Sequence, residues 1–209
     1  MKMKRLLSCI LCLLVLFVFT CSVSANENEF QDLLLKLRSE DFLPDLSGEI
    51  TNLGTHTEEL AMIGNYSWYS LIDAENFVLS TTLSWDSGSE HPNNNQAGCG
   101  VVFGVNTDTL SHNMASVRLD GTVNVSGMNY TGFLKYGNTV YTQPTISGKA
   151  KVVFVRSGTN LRVYIDDVLT MERFNVANFG NKMGFSILSG TNMSFGTRCT
   201  WEDTFLYIF

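Results

Sequence analysis

The residues best suited to chemistry lie in one polar stretch, residues 86–96, DSGSEHPNNNQ. Asp86, Glu90, Asn93 and Asn95 offer hard oxygens that suit a calcium ion, or donors and acceptors that suit sugar hydroxyls. Trp85, immediately before them, has a ring face of the kind that packs against the C–H face of a pyranose. Tyr130, Tyr136 and Tyr141 fall among Gly and Asn and add three more candidate ligand-binding rings. The competing account makes the stretch a solvated loop and turns Trp85 inward at a strand end. Calcium is the one ion these residues suggest, and no other cofactor is expected.

Catalytic chemistry has less behind it. Glycoside hydrolysis with retention needs two carboxyl groups about 5 Å apart. Asp73 and Glu75 come closest, with Asp86 and Glu90 as the other acid and base candidates, yet Asp73-Ala74-Glu75 lacks the second glutamate and is better accounted for as a polar turn before the strand that starts near Asn76. His56, His91 and His112 are scattered without metal-site spacing and read as surface-loop residues. No serine sits in a Gly-x-Ser-x-Gly setting, and neither a phosphate loop nor a dinucleotide fingerprint occurs. No catalytic residue is assigned.

A β framework must position these side chains. Residues 149–167, KAKVVFVRSGTNLRVYIDD, write out a hairpin: Val152, Phe154 and Arg156 alternate with Val153 and Val155, a turn over 157–160 follows, and Leu161, Val163 and Ile165 alternate with Arg162, Tyr164 and Asp166. Upstream, Phe77, Leu79, Thr81, Leu83 and Trp85 share one strand face, and Cys99, Val101, Phe103 and Val105 share another. Gly98, Gly100 and Gly104 leave the other side of that second strand nearly bare, open to a neighbouring backbone or a ligand. Asp120-Gly121 marks a second hairpin. Residues 129–144 read as a long, partly ordered connection, and further strands are expected over 183–188 and 197–209. Residues 27–38 form the one expected helix, with Phe30, Leu33, Leu34 and Leu37 on a single face. Residues 41–63 read as irregular, with short strand stretches at 49–52 and 60–63.

The elements FVLSTTLSW, GCGVVFGV, a strand ending in Leu-Asp-Gly, VVFVRSGTNLRVYIDD and MGFSIL, in that order, resemble the concanavalin A-like lectin/glucanase superfamily, which includes laminin G-like and keto-disaccharide hydrolase-like β-sandwiches. The resemblance covers about 77–209. It implies an all-β, two-sheet antiparallel jelly-roll sandwich, here with one short N-terminal helix, and a lectin-like domain that binds an oligo- or polysaccharide without catalysis. Two alternatives come with it: a sugar-active hydrolase of the same superfold, and a laminin G-like adhesive module that binds protein partners. The Glu-x-Asp-x-x-Glu motif of laminarinase-like members is absent.

The expected organisation is a signal peptide at 1–25, a helix and irregular segment at 26–64, and the sandwich at 65–209. Lys2, Lys4 and Arg5 precede an apolar run of about 14 residues, and Val23-Ser24-Ala25 supplies small residues for cleavage. That run is short of the roughly 20 residues needed to span a bilayer, so no transmembrane segment is expected in the mature chain. Cys21 lacks the small neighbours of a lipid-attachment box. The implied localisation is secreted, extracellular or cell-surface. Loss of three cationic residues leaves 11 Lys and Arg against 20 Asp and Glu, a formal charge of −9, which argues against a nucleic-acid partner. Oligomeric state is left open. Of five cysteines only Cys99 and Cys199 remain, either as one disulfide or as two buried thiols. The terminal Trp201, Phe205, Tyr207 and Phe209 recur as in outer-membrane barrels, but several strands are too short for that architecture.

Overall fold

The structure, a computed structural model, describes residues 26–209, so the expected signal peptide and Cys21 lie outside the described residues. The described residues divide into two compact units, 26–46 and 47–209. In the first, residues 26–39 form helix α1, with Phe30, Leu34 and Leu37 buried at helical spacing and Leu35 exposed.

The second unit is a sandwich of two six-stranded antiparallel sheets. One, sheet A, runs in the order β1 (Glu49–Leu60), β12 (Thr197–Ile208), β3 (Phe77–Ser87), β8 (Ser147–Ser157), β9 (Asn160–Ile165), β10 (Val168–Arg173). The other, sheet B, runs β2 (Tyr66–Asp73), β11 (Lys182–Leu188), β4 (Gly98–Val105), β5 (His112–Arg118), β6 (Thr122–Asn129), β7 (Gly132–Val140). Alternation decides what each strand buries. Phe77, Leu79, Leu83 and Trp85 of β3 and Val152 and Phe154 of β8 meet Cys99, Val101 and Phe103 of β4 and Ala115 and Val117 of β5 in one core. Thr81 shares that inward face, and its hydroxyl reaches Thr204 Oγ1 at 2.9 Å.

Cys99 of sheet B and Cys199 of sheet A form a disulfide across the core, with Cα atoms 5.6 Å apart, inside the range a relaxed bridge needs. Both residues are fully buried among the facing side chains.

Several sequence expectations need correction. The sandwich begins at Ser47 rather than at 65, because residues 49–60 form one long edge strand paired to β12. Gly54, at φ +69, sits between two register shifts that break its alternation and disguise it as irregular. The turn over 157–160 is tighter: Ser157 pairs with Asn160, and only Gly158 and Thr159 lie between the strands. In β12, Asp203 adopts φ +49 at a bulge between Glu202 and Phe205. That extra residue reverses the phase, so Cys199, Trp201 and Leu206 point into the core while Phe205 and Tyr207 take the other face. Residues 129–144 are not a loose connection, since β7 spans most of them as the edge strand beside β6.

Candidate functional site

The outer face of sheet B is built of rows of small and polar side chains. Pairing places Trp68, Ser186, Gly100, Ser116, Asn124 and Asn138 in one row across all six strands. Next to it run Tyr66, Leu188, Gly98 and Arg118 in one direction, and Gly184, Val102, Met114, Ser126 and Lys135 in the other. Gly98 and Gly100 cannot carry a larger side chain: a Cβ on Gly100 would lie 2.0 Å from the Ala115 carbonyl oxygen. In the Trp68 row β11 and β4 present only Ser186 and Gly100, with Leu188 and Val102 in the adjoining rows, and rings from distant strands meet on this face. The Trp68 ring of β2 lies 4.6 Å from the His112 ring of β5, and Tyr66 lies 5.3 Å from it.

A groove of about 240 Å³ opens on this face. Tyr66 and Leu188 form one wall, Met128 and Phe133 the other, and His112, Met114 and Ser126 the floor, with Arg118 at one end. His112 is 3% exposed and Met114 5%, whereas Phe133 is 55% exposed, so the walls are open and the floor is deep. This volume is below the 300–1,000 Å³ of sites that engulf a drug-sized ligand, so the groove takes a single ring or a chain end.

Electrostatics sharpen the picture. Burial pulls His112 below its ordinary value of 6.5, partly offset by the Leu110 carbonyl 2.8 Å from Nδ1, and His112 is therefore neutral at pH 7. Burial pushes the Tyr66 phenol up. Arg118 donates to the Asn95 carbonyl at 2.7 Å and to Asn124 Oδ1 at 2.8 Å, but its Nε is buried with no hydrogen-bond partner. The buried hydroxyls of Ser116 and Ser186 lack partners too.

The residues singled out in the sequence are spread around the unit. Asn95 alone among them touches the groove, through its carbonyl to Arg118. Asp86 lies on β3, and Glu90 and Asn93 are exposed in the following loop, which Ser87, Ser89 and the Asn93–Gly190 backbone bond hold in place. Among the described residues, no group of three or more His, Cys, Asp or Glu side chains is arranged to hold a metal ion. Tyr130 is 90% exposed at the β6–β7 turn. Tyr136 occupies a bulge and turns inward, where its hydroxyl accepts from the Ala177 amide at 3.1 Å. Trp85 and Tyr141 do come together. They line a cleft of about 620 Å³ between β7 and β8–β10, with Lys149 and Asp166 also at its edge.

That larger cleft offers less to a ligand than the smaller groove. Trp85 is a core residue at 5% exposure, and its Nε1 and the Tyr141 hydroxyl are buried away from solvent. Lys149 is engaged by Glu202, and Asp166 accepts from the Lys151 amide. The hydrolase candidates are also committed: Asp73 pairs with Lys182 at 2.8 Å, and Glu75 accepts from Asn178 at 2.7 Å. Asp73 and Glu75 flank the start of β3 and Asp86 and Glu90 its end, about 30 Å apart along eleven extended residues.

Sequence reasoning missed Tyr66, Trp68, His112, Met114 and Arg118. Its placement of His56 and His112 in surface loops fails: His56 is on β1, stacked 4.8 Å from Phe185, and His112 is on β5. His91 does lie in an exposed loop. The available signal was the alternation of Tyr66 and Trp68, and of His112, Met114, Ser116 and Arg118 against Ala115 and Val117.

Among solved structures, the chain is similar to a carbohydrate binding module, CBM66 from Bacillus subtilis, at 11% identity and TM-score 0.50, covering 74% of this chain and 95% of that one. It is also similar to a fructosyltransferase from A. japonicus, at 11% identity and TM-score 0.52, covering 78% of this chain but only 26% of that enzyme. The likeness is one of fold, the concanavalin A-like two-sheet sandwich. Searches with family models and against curated proteins gave no match to the sequence.

Proposed function

We propose that the protein is a secreted, non-catalytic carbohydrate-binding domain that holds a sugar ring or chain end in the groove on the outer face of sheet B. The observation that carries this reading is the groove itself. Two exposed rings, Tyr66 and Phe133, line it together with Ser126, His112 and Arg118. A pyranose needs that combination: ring faces for its C–H surfaces and fixed polar groups for its hydroxyls. The likeness to a carbohydrate binding module supports sugar binding at the level of fold, and fold alone does not assign a ligand. Secretion is supported by the N-terminal sequence pattern and by the Cys99–Cys199 bridge, which suits an oxidising compartment. Retention of the mature domain on polysaccharide affinity gels, run with calcium and with chelator, tests both the binding and the expectation that residues 86–95 contribute a calcium ion. Loss of retention only in chelator would assign that ion a role.

A further inference from the structure

The sheet face around this groove carries a charge pattern that goes beyond sugar recognition in general: Arg118 lines the groove, and Lys135 lies outside its lining, paired on β7 with the lining residue Ser126. The strands β4, β5, β6, β7 and β11 contain no aspartate or glutamate, in a chain with 20 of them. Strand carboxylates are concentrated in sheet A, at Glu49, Glu58, Glu59, Asp86, Glu172, Glu202 and Asp203. In sheet B the one exception is Asp73, at the end of β2, and Lys182 neutralises it. Arg118 and Lys135 on the outer face are left without a carboxylate in ion-pair contact among the described residues; in sheet A, Lys149, Lys151, Arg162 and Arg198 each have one, while Arg156 and Arg173 bond to neutral oxygens. Burial pulls Arg118 below its ordinary value, and Asp120, in the turn after β5, partly offsets this; the hydrogen bonds of Asp120 itself go to the Thr122 amide and hydroxyl. Arg118 bonds only to neutral oxygens, and Lys135 stands exposed on β7 two residues from the Phe133 wall.

We propose that the groove selects acidic saccharides, with the ring seated between Tyr66 and Phe133 and its carboxylate or sulfate facing Arg118 and Lys135. This rests on the carbohydrate-binding reading and names the ligand class for it. On an otherwise acidic domain, a face without carboxylates is where an anion is repelled least, and the cations there attract it. A neutral glycan would leave both cations without a counter-charge, whereas a carboxylate or sulfate would meet them with charge-assisted hydrogen bonds.

Matched pairs of polymers that differ only in charge test the inference: polygalacturonate against its methyl ester, and dextran sulfate against dextran. Each is assayed by affinity electrophoresis with wild type, Lys135→Ala and Lys135→Glu, in calcium and in chelator. Lys135 is exposed and unpaired, so both variants should fold, and thermal melts check that they do. The expected result is retention on the charged member of at least one pair, at least tenfold above its neutral partner. It should weaken as NaCl rises from 50 to 500 mM, and fall further from Lys135→Ala to Lys135→Glu. Which pair responds tells carboxylate from sulfate. Equal retention on both members of a pair overturns the charge selection and leaves sugar binding standing. Retention on the charged polymers that Lys135→Glu does not reduce places the anion elsewhere and overturns the inference. Absence of retention on all four overturns it as well, and a neutral-glycan panel then decides the broader reading separately.

Discussion

The Trp68 and His112 rings stand 4.6 Å apart although two strands, β11 and β4, separate β2 from β5 in the sheet. Small residues between them allow that contact: Gly184, Ser186 and Gly100 keep the intervening surface low, with Val102 the one larger side chain among them. The ring cluster, the groove and the glycines are therefore one construction, and its parts respond differently to substitution.

Phe133→Ala should weaken saccharide binding about three- to tenfold, the equivalent of a lost ring contact of about 0.5–1.5 kcal/mol. Because Phe133 is mostly exposed on an edge strand, the melting temperature should hardly change. Titration calorimetry with the best-retained glycan, alongside a thermal melt, checks both halves.

His112 gives the protein a pH dependence with a defined sign. Its folded-state pKa is lowered by burial beneath Tyr66 and Trp68, so the unfolded chain takes up its proton first as pH falls. Its contribution to stability is intact above about pH 6.5 and is lost as pH falls through the lower folded value. Melts at pH 7.5 and pH 5.5 should show a larger drop for wild type than for His112→Gln, and an NMR titration should place His112 below 6.5. An equal drop in both proteins would assign the effect to carboxylates instead.

The Cys99–Cys199 bridge closes a loop of 100 residues across the core. In the chain-entropy account this contributes about 4 to 5 kcal/mol, a large share of a domain's stability. Reduction, or Cys99→Ala with Cys199→Ala, should lower the denaturation midpoint strongly. Thiol titration of the unfolded, unreduced mature protein, residues 26–209, should find no reactive thiol.

Gly148 lies against the Trp85 indole, and a Cβ there would stand 2.4 Å from Cζ2. Trp85 is locked in the core, so Gly148→Ala should destabilise by about 1–3 kcal/mol through overpacking. Urea denaturation with an unchanged m-value would identify it as a packing effect.

What could be read from the sequence and what could not divide along the range of the interactions. The hairpin of β8 and β9, the Asp120-Gly121 turn and the inward parity of Cys99 and Cys199 are set by neighbours within a few residues, and alternation reports them faithfully. The strands β1 and β7 escaped because Gly54 and the bulge at Tyr136 and Gly137 interrupt their period, and because edge strands need only one apolar face. The loop tyrosines looked alike in sequence but go to a turn tip, a bulge and the wall of a different cleft. The groove was out of reach for the same reason: Tyr66, His112 and Phe133 are far apart in the chain, and only strand order and the bare glycines of β4 bring them together.

The most direct test of carbohydrate binding in this groove compares wild type with Tyr66→Ala/Phe133→Ala on a glycan array that includes neutral and acidic saccharides, in calcium and in chelator. The account predicts that wild type binds at least one class of glycan and that the double variant, with an unchanged circular-dichroism spectrum, loses that binding. Wild type that binds no glycan in either buffer, or a folded double variant that binds as well as wild type, would contradict it.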